Sequence, residues 1–100
     1  MLLGEVIGTV VASQKCEDLQ GSKLLIVDQL DIAGNSLGKY LVAVDAVGAG
    51  EGDRVLFVTG SSARITEFTS QRPVDAVIMG IVDSWEIFGD RKYEKWSATK

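Results

Sequence analysis

The sequence predicts an all-β domain, a small barrel of five antiparallel strands with one short helix. Three observations point there. Residues of high strand propensity, mainly Val, Ile and Leu, are gathered into short runs of strand length. Four glycine-containing breaks separate the runs. A single place between the fourth and fifth runs has the makings of a helical turn.

The first strand is expected over Leu3 to Ser13, rich in Val, Ile and Thr. Val6, Val10 and Ala12 lie on one face and Ile7 and Val11 on the other. Gly4 and Gly8 leave room for strong coiling or for another backbone to come close. Residues 14 to 22 are polar and end in Gln20-Gly21-Ser22, a loop. The second strand runs from Lys23 to about Leu30, with Leu24, Ile26 and Leu30 opposite Leu25 and Val27. Asp31 to Gly38 contains Gly34-Asn35 and reads as a turn. A third strand over Leu37 to Ala46 carries Tyr40, Val42 and Val44 on one face. The glycine-rich loop Val47 to Asp53 follows, then a fourth strand over Arg54 to Thr59.

Gly60-Ser61-Ser62-Ala63-Arg64 breaks the pattern, and Ser61 or Ser62 can cap a helical turn holding Ala63 to Phe68. Pro73 leads into a fifth strand, Val74 to Val82, apolar on both faces. Two-sided burial in so small a domain points to a partner chain. Ser84 to Lys100 mixes aromatic and charged residues and predicts a short final strand with a mobile tail. Five strands with this spacing suit an OB-like barrel, because closing the sheet removes its exposed edges; a half-open β-roll is the nearest competitor. The whole chain, residues 1–100, reads as one domain, with a core over 1–83 and a C-terminal extension over 84–100.

Composition suggests what the outside of the barrel does. Hydrophobic residues make up 46% of the chain and charged residues 24%, more apolar matter than a small barrel readily encloses. Part of it is expected on a subunit interface; a well-filled monomer core with scattered exposed aliphatics is the alternative. Net charge is -4, and Lys15, Lys23, Lys39, Arg54, Arg64 and Arg72 are dispersed. No basic block offers phosphate neutralisation, so nucleic acid is not an expected partner. No run approaches a membrane span, and Met1 to Gly8 lacks the basic start and apolar core of a signal peptide, so a cytoplasmic location is expected. Cys16 is the only cysteine, which fits a reducing compartment.

The chemistry of the residues points away from catalysis. The chain has no histidine, which removes histidine triads and weakens zinc-site readings. No cofactor or metal site is expected. Gly48-Ala49-Gly50-Glu51-Gly52 has the look of a phosphate cradle but the wrong spacing, and a strand rather than a helix follows it. Gly60, Ser61, Ser62 and Arg64 could hold an anion, or Arg64 could pair with a carboxylate of this chain or a neighbour. Asp45, Asp75 and Asp83 stand at strand ends, where carboxylates cap turns.

These turns and strand ends also carry a family resemblance. Gly8-Thr9-Val10-Val11 followed by Lys15, then Leu19-x-Gly21-x-Lys23-Leu24-Leu25, resembles the opening of the bacterial microcompartment vertex proteins of the ethanolamine-utilisation, propanediol-utilisation and carboxysome types. Ala43-Val44-Asp45-x-Val47-Gly48-Ala49-Gly50-x-Gly52 is similar to the family's middle motif. Gly60 to Arg64 and Pro73 to Asp83 are similar to its two later ones, so the resemblance spans residues 3 to 83. It implies an OB-like barrel that forms a homopentameric ring capping a vertex of a protein shell in the cytoplasm. Hexameric shell proteins would tile the facets, lumen cargo enzymes are a further partner left open, and the chain itself would not be an enzyme. Gly48, Gly50, Gly52, Gly60, Ser61, Ser62, Arg64, Asp75, Ile78 and Gly80 become candidates for assembly contacts and loop shaping. Beyond Asp83, Trp85, Trp96 and the charged tail match no motif of the family. A small OB module binding an anion or nucleic acid is the functional alternative.

Overall fold

The computed structural model describes residues 1–13, 21–60 and 75–95. Seven strands are present among them: β1 (Leu2–Val10), β2 (Leu24–Leu30), β3 (Ser36–Asp45), β4 (Arg54–Thr59), β5 (Ala76–Ile81), β6 (Ser84–Ile87) and β7 (Asp90–Glu94). The first five close into a barrel in the order β1-β2-β3-β5-β4, and β6 and β7 form a separate hairpin. This is the expected OB-like barrel. The helical turn expected over 63–68 lies outside the described residues.

Four of the five seams are antiparallel and one, β3 with β5, is parallel. Elementary geometry requires this, since five strands cannot alternate direction all the way round a closed ring. The parallel seam is short, with Val44 opposite Val77 and Asp45 opposite Ile78. The long return from β4 to β5 supplies the crossover that parallel neighbours need.

Inside the barrel, Val6, Leu25, Val27, Ala43, Val55, Phe57, Ala76 and Ile78 form the main core. Each large one contributes roughly 1.5–3 kcal/mol relative to exposure. The inward face of β3 is therefore that of Ala43 and Leu41. Tyr40, Val42 and Val44 do share a face, as expected, but it is the outer one, and Tyr40 and Val42 remain exposed. A second cluster lies on the outside of the β3-β5-β4 seams, where Val44, Val58 and Val77 are buried together.

That second cluster revises the reading of the fifth strand. Its two-sided apolar character is answered within the chain at Ala76, Val77 and Ile78, all buried, and only Met79, Gly80 and Ile81 stay half-buried. Two apolar layers pack against one strand in the same protomer, so burial at these three positions needs no partner chain.

Gly4 meets its predicted use. A Cβ there would collide with Cγ1 of Val27, lie 2.9 Å from Cε1 of Phe57 and 3.2 Å from the Asp28 carbonyl oxygen. β1 thus passes close over β2 and the Phe57 ring because it carries no side chain at that point. Gly8 follows a bulge, since the β1–β2 register slips between Val6 and Gly8 and turns Ile7 outward. We predict that Gly4→Ala destabilises the fold by about 2–3 kcal/mol through overpacking, read as a lower urea midpoint with unchanged slope. A midpoint equal to that of the unaltered chain would contradict it.

Candidate assembly site

The loop between β3 and β4 is built by two carboxylates. Asp45 ends β3 with its side chain buried, and its Oδ1 accepts the amides of Val47, Gly48 and Ala49 at 3.1, 3.1 and 3.2 Å. Lys23 Nζ stands 3.9 Å from the other Asp45 oxygen and donates to the Ala49 carbonyl at 2.7 Å. At the far end, Asp53 Oδ2 accepts the Gly50 amide at 2.9 Å. Gly52 donates to the Val6 carbonyl at 2.8 Å, which staples the loop to β1. The amides that a phosphate would need are thus already committed to the chain's own oxygens.

Gly48 and Gly52 have φ of +83° and +88°, a region that disfavours side chains, whereas Gly50 does not. A Cβ at any of the three would meet nothing within 4 Å. The loop's glycines are therefore not held by close approach inside the protomer, and 48 and 52 are needed for backbone shape. Gly60 likewise has φ of +65°, and its amide donates to the Asp75 carbonyl at 2.8 Å, tying the end of β4 to the start of β5. Asp75 contributes there through its backbone. Ile78 is fully enclosed in the barrel core, so it is a packing residue and offers no surface to a neighbour. Gly80 is half-buried, with Leu56 Cδ1 at 4.0 Å from a Cβ there. Ser61, Ser62, Arg64 and Cys16 lie outside the described residues.

The extension beyond Asp83 differs from expectation: two strands rather than one, docked against the barrel through Arg54, Asp53 and the Ile32 carbonyl. Trp85 and Tyr93 face each other across the hairpin with ring centroids 5.3 Å apart. The Arg54 guanidinium lies 4.8 Å from the Tyr93 centroid and 5.8 Å from that of Trp85, while its Nε donates to Glu5 Oε1 at 2.9 Å. Trp85 Nε1 donates to the Ile32 carbonyl at 2.7 Å, and Lys95 donates its amide to the Asp83 carbonyl. One cation thus joins β1, β4 and the hairpin, combining an ion pair with stacking on two rings. Arg54 looked like one of several dispersed charges in the sequence; only the fold brings Glu5, Trp85 and Tyr93 to it.

The family profile described as "Ethanolamine utilisation protein EutN/carboxysome" matches residues 1–83. The chain belongs to this family. The carboxysome shell vertex protein CcmL of Gloeobacter violaceus is 45% identical over 95 residues, covering 95% of each chain. Its solved structure superposes with a TM-score of 0.92 at 44% identity, covering 97% of this chain and all of that one. The pentameric microcompartment shell protein GrpN of Rhodospirillum rubrum matches with a TM-score of 0.80 at 47% identity, over 87% of this chain and 99% of its own. The carboxysome match leaves at most a few residues out, so it takes in most of the segment after Asp83 that stood apart in the motif comparison.

Two predictions arise from these contacts. Asp45→Ala should cost about 2 kcal/mol, since three amides lose a charged acceptor, and a chemical-denaturation curve displaced by less than a quarter of that would count against the capping role. Burial pushes the Tyr93 phenol above its ordinary 10.0, against the opposing pull of the Arg54 guanidinium, with Asp53, Glu5 and Asp83 adding to the rise. The folded state therefore holds the phenolic proton more firmly than the unfolded chain does. The associated stability is complete below pH 10 and is lost as pH rises from there through the folded value. A Tyr93→Phe variant should lack this part of the alkaline loss in thermal melts.

Proposed function

We propose that this chain is a structural protein that assembles as a ring of five and caps the vertices of a bacterial microcompartment shell in the cytoplasm. The observation that carries the reading is a near full-length match, in sequence and in fold, to a protein named for that position in the carboxysome shell. A pentameric relative with the same barrel supports the ring. The surface suits assembly as well: Ile7, Tyr40 and Val42 are exposed on the outside of the barrel. Each chain of a closed ring must present two different, complementary surfaces.

Hexameric facet proteins are the partners such a ring would meet at its rim, with lumen cargo as a further one. The loop around Gly48, Gly50 and Gly52 is anchored by the buried Ala49 and leaves Gly48 and Gly52 exposed, an element of the kind a facet can be fitted against. Gly60, Ser61, Ser62, Arg64, Asp75 and Gly80 remain our other candidates for assembly contacts. A structural role rather than an enzymatic one is supported by how the carboxylates are used, since Asp45 and Asp53 are occupied by loop amides. The nucleic-acid reading loses ground for a similar reason. Lys23, Arg54, Arg91, Lys92 and Lys95 each face a carboxylate rather than an open groove. Native mass spectrometry of the untagged chain should give a five-chain species that persists on dilution. A monomer at every concentration would overturn the proposal.

A further inference from the structure

The β6–β7 turn consists of two residues, Phe88 and Gly89, with φ of +52° and +79°. Positive φ at both central positions is the signature of a tight hairpin turn that strongly prefers Asn-Gly. Phe88 is the one non-glycine residue with positive φ among the described residues, and its side chain is fully exposed. A large aromatic thus occupies a position that suits neither its backbone preference nor its solubility. Nothing inside the protomer accounts for it, because the ring touches water on all sides. The hairpin beneath it, in contrast, is held firmly by the Arg54, Trp85 and Tyr93 stack, so the tip is presented in a set direction.

The same chain carries a surface for such a knob. On the outer face of β1, β2 and β3, Ile26 pairs with Val42 and with Gly8, Asp28 pairs with Tyr40, and Ile7 is turned out by the adjacent bulge. Ile7, Tyr40 and Val42 are each about half exposed or more, with Ile26 half-buried between Val42 and Gly8. We infer that Phe88 of one subunit seats on the Ile7–Tyr40–Val42 face of a second copy of this chain, strapping neighbouring barrels together. The inference rests on the ring reading above. It fits the demand that a closed ring use two unlike surfaces of each chain, a projecting aromatic and an open apolar face.

Phe88→Asn tests this with opposite signs. Asn is the residue that the turn favours, so the melting temperature of the dissociated chain should hold or rise. The concentration at which the ring half-dissociates, followed by native mass spectrometry on dilution, should rise at least tenfold. Val42→Glu should loosen the ring similarly, and the double variant should be looser than either single by much less than the product of their effects. If the unaltered chain forms no ring, the ring reading itself fails. If it forms one and Phe88→Asn dissociates at the same concentration, the strap is wrong, including the case where that variant instead loses only co-assembly with hexameric facet proteins. Fully multiplicative effects of the two substitutions would overturn the assigned seat.

Discussion

Closure of the barrel depends on a seam only two residue pairs long. Val44 lies opposite Val77 and Asp45 opposite Ile78, and this parallel contact joins β3 to β5 where an odd ring of strands has no antiparallel solution. Each residue of the seam has a second task. Ile78 points into the main core, Val44 and Val77 bury one another on the outside, and Asp45 turns its carboxylate into the following loop. Packing on both sides of the sheet compensates for the small number of ladder hydrogen bonds, because burial of aliphatic surface is proportional to area and indifferent to strand direction.

The loop that leaves this seam inherits its order from it. Asp45 is fixed by the seam on its backbone side and by Lys23 on its side-chain side, so the amides that it accepts are held in one arrangement. A glycine loop is usually the most mobile part of a small domain. Here two carboxylates, at its start and its end, satisfy the backbone groups that would otherwise exchange partners with water. A rigid, exposed loop is what an assembly surface requires, since ordering a loose one would subtract from the affinity of each contact.

Directly after this loop, Arg54 does the corresponding work for the hairpin. The guanidinium is planar and permanently charged, so it can hold Glu5 along its edge while its face lies against Tyr93 and Trp85. A lysine could satisfy the carboxylate but not the stack. The two-strand hairpin would be marginal alone, and its docking converts it into a fixed projection of the barrel.

The strands and breaks of the barrel were legible in the sequence because apolar runs and glycine turns are local signals. Arg54–Thr59 and Leu24–Leu30 are bounded almost as their β-branched and aliphatic content suggests. The ordered middle and late motifs made the family legible too, and Asp45 was recognisable as a strand-end carboxylate. What each face meets was decided elsewhere. Periodicity places Tyr40, Val42 and Val44 together but does not say which side is inside; closure of the barrel put Ala43 and Leu41 against the core and left Tyr40 and Val42 outside. Ile78 read as a contact for a neighbour because its strand is apolar on both sides; the barrel core encloses Ile78, and Val44 and Val58 cover Val77 on the other face. The Arg54 stack joins positions 5, 54, 85 and 93, and no window along the chain contains them all. Only closure of the barrel, which is a property of long-range pairing, sets them side by side.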